Sequence, residues 1–593
     1  MNETQSYLKL KQNVENELHI FQQKAVKLPY LRLAILIALF FSVYFLFPYG
    51  WLPIAISSVA LVVLFFAVVK YDIENTKKIK FTKEKLNECV FEINSFNLKF
   101  DNNSVDYYDV KTHRYAPDLD ILGSFSLFSF INRTTIKQSA QLLQKRLLDN
   151  HSVTQAKSWL AQCAELATKL DWRINLRAIG KLSLNKIDEN KIDKWLENSA
   201  ENLKNSVFVV AKALPIITSI AIVLSFYIDF NKVVTLLIIL HILIVFATSK
   251  KTIKIYEDAN GVVPLLKQYA GIAELIENEK FENEELKNLT SVFHPNNSKA
   301  SVELKKLTKI INSLELKNNV YFWIPLNILF FWDINYTAQL QNWKAKNAAH
   351  IKKWMEAICE LEVLNSIAAI HYNYPHWAKP DLVDTDSFLL EAQNCGHPLL
   401  NENKCVKNSI TISKKPYVMI LTGSNMSGKS TFLRTLGTNI VLAKIGSVVC
   451  ASHFKMNDFD LHTSMRIADD LSNDTSTFYA ELKRLKSIVE QLNTQQNTLI
   501  LLDEILRGTN SIDRHKGSEA LIKQIIKQNG VGIVATHDIA LSTLENEYNS
   551  TIQNAHFDVS VDGEELFFDY KLKEGVCKSM NASILMKKMG IEV

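Results

Sequence analysis

Leu421-Thr-Gly-Ser-Asn-Met-Ser-Gly-Lys-Ser-Thr431 is the stretch whose reading decides the fold. It fits the spacing G-x-x-x-x-G-K-[S/T] through Gly423, Gly428, Lys429 and Ser430, the pattern of a loop that cradles phosphates with backbone N–H groups. Its flanks have the right character. Tyr417-Val-Met-Ile-Leu421 is a short apolar run that reads as a buried strand. Thr431 to Ala443 places Phe432, Leu433, Leu436, Ile440 and Val441 at helical spacing. Strand, loop and helix together aim N–H groups and the positive end of a helix at a polyphosphate. The expected cradle is Gly423, Ser424, Asn425, Met426, Ser427, Gly428, Lys429, Ser430 and Thr431.

Downstream, Thr498-Leu-Ile-Leu-Leu-Asp503-Glu504 is an apolar strand ending in two carboxylates. Asp503 at that place can hold Mg²⁺ together with the Ser430 hydroxyl, and Glu504 can orient or deprotonate a water. Val531-Gly-Ile-Val-Ala-Thr-His537-Asp538 is a further buried strand. Open α/β sheets bind ligands at the carboxyl ends of their strands, so His537 is expected near the γ-phosphate of ATP. The three elements, in this order, describe an ATPase of the ABC type with ATP and Mg²⁺ as cofactors.

The Leu-Ser-Gly-Gly-Gln signature of transporter ATPases is missing; Asp470-Leu-Ser-Asn-Asp-Thr-Ser476-Thr-Phe478 stands in the corresponding interval. Here the chain resembles the MutS family of DNA mismatch-repair ATPases. Thr422 to Arg434 is similar to the family's T-G-P-N-M-G-G-K-S-T-[YF]-L-R. Leu442-Ala-Lys-Ile-Gly446 is similar to its L-A-Q-I-G, and Gly396-His-Pro-Leu399 to its H-P-L segment. Ser476-Thr-Phe, Asp503-Glu-Ile-Leu-Arg-Gly-Thr509 and Thr536-His537 match S-T-F, D-E-x-x-R-G-T and T-H. The resemblance implies that Lys429 binds the β- and γ-phosphates, Ser430 and Asp503 hold Mg²⁺, Glu504 is the catalytic base and His537 senses the γ-phosphate. It also implies that Ser476 acts in trans on a partner's nucleotide, so that a homodimer is the working form, and that DNA is the partner. Ser424, Ser427 and Asp474 depart from the family pattern, and the chain has no G-x-F-[YF]-E element of the kind that probes mismatched bases.

Away from this domain the chain changes character. At 593 residues it is long enough for several cores. Lys and Arg number 67 against 62 Asp and Glu, a net charge of +5 that is too balanced to argue for nucleic acid by itself. The 7 cysteines form no C-x-x-C pair, which points away from zinc and disulfide frameworks and towards a reducing compartment. With 17 Gly and 12 Pro, the composition favours helices with few long loops.

Leu31 to Phe47 and Trp51 to Val69 are two apolar runs joined by Pro48-Tyr-Gly50. Each approaches the roughly 20 residues a helix needs to cross a bilayer. Lys24 and Lys27 before them, and Lys70, Lys77, Lys78 and Lys80 after, place both ends in the cytoplasm. Val207 to Ile228 and Val233 to Thr248 form a second pair, followed by Lys250, Lys251 and Lys254. Val320 to Trp332 is apolar but short and carries Pro325; it reads as a buried or interfacial segment. The expected topology is four transmembrane helices in a multi-pass protein of the cytoplasmic membrane, with the ATPase facing the cytoplasm.

Between the hairpins, Pro117 to Leu148 and Ser152 to Leu182 read as helical. Residues 251–370 read as long amphipathic helices on which Lys305, Lys306 and Lys309 either form a solvated face or contact DNA phosphates. After Tyr374, Pro375, Trp377 and Pro380 the pattern becomes strands alternating with helices. The expected organisation is an N-terminal cytoplasmic segment 1–29, a hairpin 30–70, a linker 71–115, MutS-like core helices 116–205, a second hairpin 206–249, lever helices 250–385 and the ATPase domain 386–593, with a short helix from Asn581 to Met589 inside it. The fold class is multidomain, a mostly α-helical membrane-anchored region followed by a C-terminal α/β P-loop ATPase domain. The activity implied is ATP hydrolysis driving a dimeric clamp on DNA at the membrane. The competing readings are a tethered clamp acting on a protein partner and a transporter-type ATPase.

Overall fold

The computed structural model describes residues 3–100, 107–182, 190–197, 203–295, 298–424, 426–465, 477–494, 497–562 and 565–577. The expected helix at Asn581 to Met589 lies outside them. The N-terminal part of the chain is helical: α1 (Glu3–Leu46), α2 (Trp51–Ser95), α3 (Leu127–Ile131), α4 (Lys137–Leu148), α5 (Val153–Thr168), α6 (Leu170–Lys181), α7 (Asn190–Glu197), α8 (Asn205–Leu224), α9 (Asn231–Asn260), α10 (Val263–Glu277), α11 (Glu284–Ser291), α12 (Ala300–Leu314), α13 (Val320–Phe330) and α14 (Trp332–Asn373). The C-terminal part is α/β: β1 (Asp381–Leu382), β2 (Leu390–Cys395), β3 (Asn408–Ile412), β4 (Tyr417–Thr422), α15 (Lys429–Lys444), β5 (His453–Met456), β6 (Asp460–Ser464), α16 (Thr477–Leu492), β7 (Thr498–Asp503), α17 (Ser511–Lys527), β8 (Val531–Ala535), α18 (Leu544–Glu547), β9 (Ile552–Asp562) and β10 (Glu565–Glu574).

Two compact units share the chain. The first comprises residues 1–8, 90–170 and 362–593, the second residues 9–89 and 171–361. In the second unit α1 and α2 form an antiparallel hairpin turning at Gly50, whose φ of 91° suits glycine. Leu28 and Ile35 meet Val68, Leu61 and Phe65 across it, and Arg32 pairs with Asp72 at 3.0 Å. Among the described residues, four helices are long and apolar enough to cross a membrane by length and composition: α1, α2, α8 and α9. Their apolar windows are 6–17% buried, so nearly the whole apolar surface points outward. The helices outrun the apolar runs. Residues 71–95, expected as linker, continue α2, and polar residues 3–29 belong to α1.

The second unit also contains α10 and α12, which pack on one another; α10 buries Leu266 and Tyr269, and α12 buries Leu304, Leu307 and Ile311. The basic positions of α12 are not uniformly free: Lys305 meets Glu274 at 2.6 Å and Lys306 meets Glu303 at 2.9 Å.

In the first unit, Pro117 to Leu148 is helical only over α3 and α4. The chain before α3 turns at Asp120 and Gly123, and Asn132 to Ile136 is not helical, with extended backbone at Asn132 and Ile136. Here Glu362, buried in α14, accepts hydrogen bonds from the backbone N–H groups of Thr135 and Ile136, both at 3.2 Å, and so satisfies donors at the start of α4. Ser152 begins α5 with a capping box to Gln155.

Six strands form the main sheet in the order β10-β9-β4-β8-β7-β6, parallel except for the edge strand β10. Every residue of β4, β7 and β8 is buried, as continuous apolar runs in a covered parallel sheet require. Burying a side chain such as Ile420 or Leu501 contributes about 1.5–3 kcal/mol. Alternation of strand and helix does not begin at the domain boundary. β1, β2 and β3 come first without intervening helices and join β5 in a separate sheet ordered β1-β5-β2-β3. Its β2 is antiparallel to both neighbours, a pairing that half-polar strands such as Leu390–Cys395 can make with one face exposed.

Candidate nucleotide site

Three neighbouring strands, β4, β8 and β7, deliver their carboxyl ends to one place. The loops beyond them are stitched together by backbone hydrogen bonds: Thr536 N–H donates to Leu421 C=O at 3.0 Å and Glu504 N–H to Ala535 C=O at 2.9 Å. Gly423, Ser424, Met426, Ser427 and Gly428 follow β4 and run into α15, whose first turn carries Lys429, Ser430 and Thr431. Asn425 and Ser476 lie outside the described residues.

The loop can be built only with glycine at its two ends. Gly428 has φ 103°, and a Cβ there would come 3.1 Å from Tyr570 Cδ1; a Cβ on Gly423 would come 2.8 Å from Ser427 Oγ and 2.9 Å from Phe557 O. Met426 adopts φ 67° with its side chain 75% exposed, so it contributes backbone shape rather than packing.

Lys429 is buried, and its Nζ donates to the carbonyls of Gly423 and Ser424, both at 3.0 Å. Burial holds its ammonium below the usual lysine range, opposed by the charges of Glu504 and Asp503. Asp503 is pushed upward by burial and held back by a hydrogen bond from Ser430. Its Oδ1, like the hydroxyls of Ser424 and Ser427, is buried without a hydrogen-bond partner among the described residues. A desolvated carboxylate beside a hydroxyl, with further unpaired oxygens at the loop, is a donor set suited to a hard divalent cation and to phosphate.

Glu504 sits in the left-handed region at φ 49°, immediately after β7. Its carboxylate takes the Nε2–H of His537 at 2.6 Å and also pairs with Arg507. Burial raises its pKa, yet the His537 hydrogen bond and charge, followed by Arg507 and Lys429, bring it down to about 2. Because a carboxylate can only accept, Nε2 carries the proton; the 3.4 Å approach of Lys429 Nζ to that nitrogen is therefore a contact of two donors.

Several participants escaped the sequence reading. Arg507 was legible only as a letter in a motif. Glu481 of α16 accepts from the backbone N–H of Leu506, tying that helix to the loop after β7. Phe478, on the same helix, packs so closely on Gly508 that a Cβ there would come 2.8 Å from Phe478 Cβ. Beyond them a cleft is lined by Arg507, Arg514, His515 and Asp538, with His515 Nδ1 2.6 Å from Asp538 Oδ2.

Residues 419–590 match the family model for MutS domain V. The chain is 32% identical over 251 residues to the DNA mismatch repair protein MutS of Thermotoga sp. (strain RQ2), covering 42% of this chain and 30% of that protein. It is 31% identical over 246 residues to the protein of the same name from Persephonella marina, covering 41% and 28%. A third, from Geobacillus sp. (strain WCH70), is 31% identical over 226 residues, covering 37% and 26%. The match thus spans less than a third of the length of these relatives.

Proposed function

We propose that this chain, whose C-terminal domain is similar to MutS domain V, hydrolyses ATP at the junction of β4, β7 and β8 and uses the cycle to drive a dimeric clamp tethered to a membrane. The observation that carries the reading is the convergence of Lys429, Asp503, Glu504 and His537 on one edge of a parallel sheet, beside the start of α15. Lys429 would exchange its bonds to the Gly423 and Ser424 carbonyls for β- and γ-phosphate oxygens. Ser430 and Asp503 would hold Mg²⁺, which supplies charge neutralisation between those phosphates. Glu504 would take a proton from the attacking water as its oxygen bonds to the γ-phosphorus, the bond to the β-phosphate bridging oxygen breaks and ADP leaves. His537 would then face the γ-phosphate. Ser476 would complete the site of a second copy.

Four long, outward-facing apolar helices support a multi-pass membrane protein with its ATPase in the cytoplasm. DNA is the first candidate for the clamped partner, because the relatives are named as DNA mismatch repair proteins. One observation favours a protein partner instead: two of the three basic positions that could contact DNA phosphates, Lys305 and Lys306, already pair with Glu274 and Glu303. Binding and ATPase stimulation by homoduplex, mismatch, fork and four-way-junction DNA at two salt concentrations separates them. A DNA clamp gives stimulation that falls steeply with salt. No response to any DNA at low salt favours the protein partner.

A further inference from the structure

Helix α13 is short, and apolar on every side. From Val320 to Trp332 the chain carries no charged residue. Eleven helical residues span roughly 16 Å, about half of a bilayer's hydrocarbon core, so α13 cannot cross one. Yet Tyr321 is 90% exposed, Phe322 62% and Phe330 54%, and Ile324 and Leu329 are exposed as well, so large apolar side chains point outward along the helix.

Its inner side rests on α8 and α9. Phe331 and Ile334, just past its end, pack with Ala211 and Leu214 of α8, and Leu237 and Ile244 of α9 close the cluster. Amid these apolar contacts stands His241, buried in the middle of α9 between Lys232 and Lys250. Its Nδ1 is 2.5 Å from the carbonyl of Ile328 in the last turn of α13, and its Nε2 is 3.0 Å from Thr218 Oγ1 on α8. A carbonyl can only accept, so Nδ1 donates. An ionisable residue inside an apolar span is costly and is retained for a role. Here it joins three helices at one point.

The end of α13 is finished in the same manner. A helix leaves its last carbonyls without intrahelical partners, and in hydrocarbon no water can supply them. The Asn327 carbonyl accepts from Phe331 N–H at 3.0 Å, that of Ile328 faces His241, and that of Phe330 accepts from Asn335 Nδ2 at 2.8 Å. On the other side of the turn, Asp333 N–H donates to Asn327 Oδ1 at 3.0 Å, and Trp323 Nε1–H donates to Asp333 Oδ2 at 2.8 Å. Phe331 closes the turn at φ 49°. A helix end in water would have no need of so many side-chain partners.

We propose that α13 is a lipid-embedded helix, entering one leaflet beside α8 and α9 and latched to them by His241. The inference rests on reading α8 and α9 as membrane spans. Its occupant is lipid rather than a protein because α13 packs against α8 and α9, whose Ile220, Leu243 and Phe246 are exposed and apolar as its own outer side chains are, and no charged residue of α13 supplies the polar rim of a protein interface. Trp323, Trp332 and Tyr321 are side chains suited to the headgroup boundary.

The test places nitroxide labels on single cysteines in the full chain, in lipid nanodiscs, after Cys405→Ser removes the one native cysteine that is not buried. Collisions are measured with oxygen, which concentrates in lipid, and with a water-soluble nickel chelate. Labels at Tyr321→Cys and Phe330→Cys are expected to match a span label at Leu243→Cys and to differ from an aqueous label at Lys486→Cys. If they follow Lys486 while Leu243 stays in lipid, α13 is not embedded. If both reagents are excluded at Tyr321 and Phe330, a protein covers the face, which also overturns the proposal. If Leu243 itself behaves as aqueous, the membrane reading fails and takes the inference with it. His241→Ala should raise nickel collisions at Phe330 several-fold with Leu243 unchanged, and Thr218→Val should do so more weakly; no change at Phe330 in either would remove the latch.

Discussion

His537 Nε2 lies 2.6 Å from a carboxylate oxygen of Glu504, and the two residues leave adjacent strands, β8 and β7, at the same end of the sheet. The carboxylate expected to activate water is thus engaged by its own protein, with Arg507 on its other side. A carboxyl group held at about 2 is ionised throughout the physiological range but is a weak base. The proposed hydrolysis would require that one of these partners yield when ATP binds.

Replacing Glu504 by Gln keeps the shape and removes the base. Single-turnover hydrolysis is expected to fall by on the order of 10²–10⁴-fold while ATP binding persists. Turnover at the unmodified rate would take Glu504 out of the base role.

Lys429→Ala acts at the earlier step. Charge-assisted hydrogen bonds contribute about 1.5–3 kcal/mol, so nucleotide affinity should drop roughly 10- to 100-fold in an equilibrium titration with a fluorescent ATP analogue. The α/β domain should keep its fold, since the hydrogen-bond contacts of Nζ among the described residues are with the loop carbonyls and His537.

Two histidines make the same domain sensitive to acid. Burial, reinforced by neighbouring Arg434 for His397 and Arg114 for His462, lowers both to about 4. The unfolded chain protonates near 6.5, so between 6.5 and 4 it binds more protons than the folded one. Stability is therefore full above pH 6.5 and is lost as pH falls towards 4, by on the order of 2–3 kcal/mol per histidine. Denaturant midpoints measured across that window should fall, and His462→Gln should flatten the slope; an unchanged slope would show that His462 does not carry it.

Gly446 tests a close approach. It has φ 76°, and a Cβ would lie 2.6 Å from Trp159 Cβ and 2.7 Å from the backbone nitrogen of Leu160. Gly446→Ala should cost about 3 kcal/mol through strain and overpacking together. A melting temperature within a degree of the parent protein would refute the packing described.

Much of the candidate site's framework was readable because its parts are local. β4, β7 and β8 are short unbroken apolar runs, and Asp503, Glu504 and His537 stand where such runs end. What stayed hidden depends on segments meeting across space: Glu481 reaching Leu506, Phe478 against Gly508, Arg507 beside Glu504. The small sheet was misjudged because β2 and β3 mix polar and apolar residues and leave no helix between them. The stretch before α3 was read as helical on composition, but its backbone is spent on turns, with Asp118 accepting from Thr463 at 2.5 Å and Arg484 at 2.6 Å.

The placement of β4 governs the order in which the molecule can be made. Both of its partners, β8 and β9, are encoded far downstream of it, and each hydrogen-bonds along almost its full length. During synthesis the glycine loop therefore emerges without a sheet to hold it, and it acquires its shape only when the last strands leave the ribosome. The apolar helices α1, α2, α8 and α9 are complete before β4 is even translated. A nascent chain must settle those helices while the loop after β4 has no sheet around it.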